Sequence, residues 1–143
     1  MNIATIYCDG SFNRQSGIGT YGAVVHLKGK THEISEAYEN VRSSARAEML
    51  GMIRSIEVFG PKSDRIKIYS DAKYIIDGIN IHWQKWVKAG TVDELVNKDL
   101  WLTIQGLIKR YTIEWFWIKG HSGNPFNERA DFLAKEAAVG SVW

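Results

Sequence analysis

A mixed α/β fold, one five-stranded sheet with helices on both faces, is predicted by three features of the 143-residue sequence. Three β-rich runs follow one another at the N-terminus with short turns between them, the layout of an antiparallel meander. Two more strand-like runs come later, each set off by helical stretches, and strands joined through helices pair in parallel. No repeat, low-complexity tract or linker interrupts the order. The length suits one domain with one core, spanning residues 1–143.

The elements are justified in turn by local chemistry. "NIATIYC" alternates and is rich in β-formers, so Asn2 to Cys8 reads as a strand that ends just before Asp9. "TYGAVVHL" and "THEISEAY" form the next two strands, with Gly29 in "KGK" turning the hairpin. Ser43 or Ser44 caps a helix whose apolar face carries Ala45, Met49, Met52, Ile53, Ile56 and Phe59, and Gly60-Pro61 stops it. "RIKIYS" is the fourth strand. "DAKYIIDGI" and "HWQKWVKAG" read as two short helices, the second ended by Gly90. Asn97 caps an amphipathic helix with Leu100, Trp101, Ile104, Leu107, Ile108 and Tyr111 on one face. "TIEWFWI" is the fifth strand, and Pro125 opens a last helix reaching about Val139. The first, fourth and fifth strands should then be parallel neighbours.

Composition narrows the setting. Apolar residues make up 45% and charged residues 24% of the chain, the globular range. The single cysteine, Cys8, excludes an internal disulfide, suits a reducing compartment and reads as a small buried strand residue. The N-terminus lacks a basic stretch followed by an apolar run, and no window reaches the ~18 apolar residues of a membrane span. The expectation is a soluble, cytoplasmic protein without a membrane association. A net charge of +2, from 18 Lys and Arg against 16 Asp and Glu, does not by itself imply a nucleic-acid partner.

Four acids stand out by position. Asp9 follows the first strand and Asp71 the fourth, and in open α/β sheets ligands bind outside the carboxyl ends of strands. Each has a plainer reading: Asp9-Gly10 as a turn, Asp71 as the N-cap of the next helix. Glu48 lies about 20° from Phe59 and about 40° from Met52 on the helical wheel, so it borders the apolar stripe, where an unpaired acid is costly. Asp131 borders the face of Ala130, Leu133, Ala134 and Ala137 in the last helix, and also stands one turn before Lys135, an i,i+4 partner. Two carboxylates ~4 Å apart repel by about 4 kcal/mol at an effective dielectric near 20, so a cluster must take up protons or bind cations. All-oxygen ligands suit Mg²⁺ or Mn²⁺, and no Cys/His spacing reads as a zinc site.

"CDGS", "RAEM", "YSDAKY" and "IKGHSGNPFNERADFLA" together, in order and across nearly the whole chain, resemble type 1 ribonuclease H. The resemblance implies the ribonuclease H-like fold and an endonuclease that cuts the RNA strand of RNA–DNA hybrids with two divalent metals, Mg²⁺ or Mn²⁺, leaving 5′-phosphate and 3′-hydroxyl ends. It implies Asp9, Glu48, Asp71 and Asp131 as metal ligands, and His121 as the histidine that assists proton transfer or product release. Substrate contacts are implied in the loop after Asp9, before Glu48 and after Asp71, where this chain has Gly10, Ser11, Phe12, Asn13, Gln15, Ser43, Ser44 and Lys73. Trp86 matches the tryptophan of the family's substrate-binding protrusion. That stretch is nearly neutral here, with Lys85, Lys88 and Lys98 set against Asp93, Glu94 and Asp99. Core packing is the plainer role for Trp83 and Trp86. A same-fold nuclease acting on double-stranded RNA or branched DNA, and a non-catalytic hybrid-binding module, are the rival readings. No obligate protein partner is implied, and a monomer is expected.

Overall fold

A computed structural model of the chain describes residues 1–120 and 122–140. Ten main elements follow in order: β1 (Ile3–Phe12), β2 (Gly19–Leu27), β3 (Lys30–Tyr38), α1 (Ser44–Phe59), β4 (Arg65–Ser70), α2 (Lys73–Asp77), α3 (Trp83–Ala89), α4 (Lys98–Arg110), β5 (Ile113–Trp117) and α5 (Pro125–Gly140). The strands form one five-stranded sheet in the order β3-β2-β1-β4-β5. β1, β2 and β3 pair antiparallel, while β1, β4 and β5 pair parallel, as the order of strands and helices predicts.

The β2–β3 turn is Lys28-Gly29, and both residues have positive φ, 54° and 75°. Two left-handed residues give the turn twist that suits a two-residue hairpin. Ser43 is the N-cap of α1, its hydroxyl accepting from the Arg46 N–H at 3.1 Å. Asn124 does the same for α5, its side-chain oxygen accepting from Phe126 and Asn127, with Pro125 at the first helical position.

Alternate residues of β2 place the helices. A Cβ on Gly51 of α1 would meet the Tyr21 ring, whereas a Cβ on Gly22, the next strand residue, would enter the backbone of α5. Successive strand residues face opposite sides, so α1 and α5 cover opposite faces. Beneath α1 and α4 lies the main core, including Ile6, Cys8, Met52, Ile56, Ile68 and Trp101, each no more than 1% exposed. Among the described residues no helix is long and apolar enough to cross a membrane.

Three local expectations are corrected. β1 does not end before Asp9 but runs on to Phe12, because β2 supplies antiparallel partners as far as Gly19. Only the parallel pairing with β4 stops early, at Tyr7 and Tyr69. Asn97 occupies the N-cap position of α4 at φ 63° without a side-chain capping bond; its side-chain oxygen accepts from Arg46 Nη1 instead. The two short helices α2 and α3 are joined by a π-helical segment, Gly78–His82. Gly78 there leaves room for the Trp101 ring, which a side chain would strike.

Candidate metal centre

The early end of the β1–β4 pairing creates the site. Past Tyr7 and Tyr69 the two strands no longer bond to each other, and Asp9 and Asp71 flank the gap. The plainer readings of both acids fail. Asp9 sits inside a strand opposite Gly22 and makes no turn. The N-cap of α2 is Ala72, with no side-chain cap, and the Ala72 N–H is taken by Ser70 Oγ at 3.1 Å.

Glu48 reaches the gap from α1 because Gly10 has no side chain. A Cβ there would lie 2.6 Å from the Glu48 backbone nitrogen, so any other residue would push the helix away. Carboxylate oxygens of Asp9, Glu48 and Asp71 lie within 4.8 Å of one another. Asp131, from α5, hydrogen-bonds to Asp9 and stands at the rim, where Lys135 Nζ lies 2.9 Å from its Oδ2. Gly22 permits this, since α5 passes against the sheet directly over it. Both readings of Asp131 therefore hold at once: the i,i+4 pair and the approach to the acid cluster.

Electrostatics fit a cation site. Burial, then the charge of Asp71, pushes the Asp9 carboxyl up to about 7. Burial and the Asp9 charge raise Glu48 well above the usual carboxylate range. Glu48 Oε2 is buried without a hydrogen-bond partner, and a buried lone acceptor is costly unless something satisfies it. Hard oxygen donors on three separate elements, one of them buried and orphaned, suit a divalent cation such as Mg²⁺ or Mn²⁺.

The other residues singled out in the sequence divide by position. Gly10 and Ser11 continue β1 past Asp9, and Gly10 N–H donates to Asp9 Oδ1 at 3.0 Å. Phe12 ends the strand, and Asn13 Oδ1 accepts from the Gln15 and Ser16 N–H groups, ordering the loop that carries Gln15. Ser43 is committed to capping α1 and Ser44 opens it. Lys73 opens α2 two residues after Asp71. Trp86 is not in the gap: it packs edge-on against Trp101, with ring centroids 5.2 Å apart, among Trp83 and Tyr74. His121 lies outside the described residues.

Two residues that the sequence did not single out belong to the site. A Cβ on Gly120 would lie 2.7 Å from Asp71 Oδ2, so the glycine leaves that carboxylate its room. The Trp117 indole N–H donates to the Asp71 carbonyl at 3.3 Å. Gly120 carries a sequence signal, as the residue before His121 in "KGHSG"; Trp117 carries none apart from its place at the end of a strand.

Comparison with known proteins decides the family. The ribonuclease H family model matches residues 1–139. The chain belongs to the ribonuclease H family. A curated ribonuclease H of Francisella philomiragia is 37% identical over 140 residues, covering 95% of this chain and 91% of that protein. Among solved structures, LC9-RNase H1, described as a type 1 RNase H with the type 2 active-site motif, superposes with a TM-score of 0.81 at 24% identity, covering 98% of this chain and 74% of that one. LC11-RNase H1, solved in complex with an RNA/DNA hybrid, has a TM-score of 0.77 at 19% identity and covers 98% and 99% of the two chains. The mixed sheet is thus the ribonuclease H fold, and membership of the family makes the chain a nuclease.

Proposed function

We propose that this ribonuclease H is an Mg²⁺-dependent endonuclease that hydrolyses the RNA strand of RNA–DNA hybrids, leaving 5′-phosphate and 3′-hydroxyl ends. The observation that carries the reading is the convergence of the Asp9, Glu48 and Asp71 carboxylates within 4.8 Å on a chain of this family. The hybrid bound by LC11-RNase H1 supports the same substrate class.

Asp9, Glu48 and Asp71 would hold the cations, with Asp131 completing the set from α5. When bound, such cations, two in the substrate complex on this reading, would supply activation of the attacking water and stabilisation of charge on the leaving 3′-oxygen. Mn²⁺ would serve in place of Mg²⁺, since both take oxygen ligands. The protein contributes position and charge. Glu48 comes from the inner face of α1, Asp9 is fixed by the antiparallel pairing of β1 with β2, and Asp71 is held where β4 leaves its neighbour. Lys135 balances the Asp131 charge from the solvent side. His121 is assigned the proton-transfer or product-release role that the "KGHSGN" motif implies. Gly10, Ser11, Phe12, Asn13, Gln15, Ser44 and Lys73 are assigned the substrate contacts that the family resemblance implies, and Ser43 serves them through the α1 cap. The enzyme acts as a cytoplasmic monomer in this reading.

The test is cleavage of a 5′-labelled RNA strand, presented in a hybrid and in an RNA duplex, with Mg²⁺, Mn²⁺ or EDTA. Asp71→Asn runs alongside. Metal-dependent cutting of the hybrid alone, lost in Asp71→Asn, is the expected result. Equal cutting of the RNA duplex, or none of either by folded protein, would overturn it.

A further inference from the structure

Trp117 ends β5 opposite Ser70 of β4, beside the residue that delivers the Asp71 carboxylate. Its side chain is 44% exposed at the rim of the gap. The indole N–H is spent on the Asp71 carbonyl at 3.3 Å, which fixes the ring on one side. The same carbonyl accepts from the Lys73 backbone N–H at 2.9 Å, so Asp71 ties the two residues together through the main chain. The side chains meet as well. Lys73 Nζ lies 5.2 Å from the Trp117 ring centroid and 2.9 Å from Asp77 Oδ2.

A surface lysine is normally a mobile charge on a side chain rich in rotamers. Here a ring face and a carboxylate hold the ammonium in one place, two residues from an acid of the metal centre. An ammonium has three donors, and Asp77 uses one. A cation held in advance loses less freedom when it meets a phosphate.

We propose that Trp117 is a substrate-positioning residue: its indole, anchored on the Asp71 carbonyl, holds the Lys73 ammonium at the rim of the metal centre to meet a backbone phosphate of the bound nucleic acid. This rests on the nuclease reading above. Trp117 acts through Lys73, so the two should behave as a unit in binding.

The test is the affinity of the full chain for a fluorescently labelled RNA–DNA hybrid by anisotropy in EDTA, between about 50 and 200 mM salt. Lys73→Met should weaken binding and reduce the salt slope by about 0.7–0.9, the loss of one phosphate contact. Trp117→Leu should weaken binding about 2- to 5-fold, the range of an exposed cation–π contact, and reduce the slope in the same direction. The double variant should bind no more weakly than Lys73→Met alone, and Trp117→Phe, which keeps a ring face but loses the indole anchor, should fall between wild type and Trp117→Leu. If Trp117→Leu does not fold, Trp117→Gln, which lacks the ring face, carries the same comparison. Losses that multiply in the double variant, or an unchanged affinity and slope on removing the ring, would overturn the proposal. Wild-type protein that binds hybrid without cutting it would sink the proposed activity and leave this inference standing, whereas failure to bind any hybrid would sink both.

Discussion

Carboxylates in two regions of this molecule are treated in opposite ways. In the gap between β1 and β4, Asp9 is pushed up to about 7 and Glu48 well above its ordinary range by burial and mutual repulsion. At the seam between α1 and α4, Asp99 is pulled down to about 2 by the Arg46 guanidinium, which contacts both its oxygens at 2.9 and 2.6 Å. The seam follows the usual arrangement, in which each charge has an opposite partner. The gap stores repulsion that a divalent cation would relieve. The contrast separates acids that help hold the fold from acids that the fold holds in place at some cost.

The largest expected effect breaks the gap itself. Asp71→Asn should lower hybrid hydrolysis on the order of 10²–10³-fold or more, the scale of losing one preorganised charged group. The metal-free protein should meanwhile gain about 0.5–2 kcal/mol, because a repelling charge is gone. A variant that is both inactive and less stable than wild type would contradict the picture of stored repulsion; cleavage assays and melting in EDTA measure the two halves.

The next separates the regions by pH. Asp9 titrates higher in the fold than its ordinary 3.8, so its contribution is present below about pH 4 and is lost as pH rises through about 7. A single such proton gives a slope of at most about 1.4 kcal/mol per pH unit. Asp99 has the opposite sign: its contribution is present above its ordinary 3.8 and is lost as pH falls toward 2. Metal-free protein should therefore lose gap-derived stability between pH 4 and 7, measured as urea midpoints. Saturating Mg²⁺ should restore it at neutral pH, by about 2.7 kcal/mol at a hundredfold excess over Kd.

Gly120→Ala sharpens the comparison by disturbing the gap without changing its charge. The added methyl would press on Asp71 Oδ2, so hydrolysis should fall about tenfold or more, the scale of a small misplacement of a catalytic group. Its melting temperature should stay near wild type.

The smallest effect is expected at the seam. Arg46→Ala removes a bidentate ion pair and the donor to Asn97, and Asp99 is 60% exposed at its side chain, so solvent screens much of the interaction. A loss of about 1 kcal/mol, with the metal affinity unchanged, is the outcome to check by denaturant titration.

Much of the architecture was legible because it is written in short-range chemistry. Alternation marks β1, strand-like runs about Gly29 mark β2 and β3, the periodic apolar face marks α4, Ser43 and Pro125 mark helix starts, and a β-run between helices requires parallel pairing for β4 and β5. The motif order was legible too, and it pointed to the four acids and to the family the comparisons bear out. Tertiary structure alone decided how the acids meet. Whether Asp71 capped a helix depended on Ala72 and Ser70; whether Asp9 made a turn depended on how far β2 ran. Asn97 gave its side chain to Arg46, far away in sequence, and the capping pattern could not register that competitor. Gly22 looks ordinary in the sequence and Gly120 shows only its place before His121, since the value of both lies in what would collide with a side chain there: the backbone of α5 in one case and the Asp71 carboxylate in the other. Local propensity is a property of neighbouring residues, but repulsion between carboxylates and the close approach of two elements depend on distance in space, and only the folded chain sets that distance.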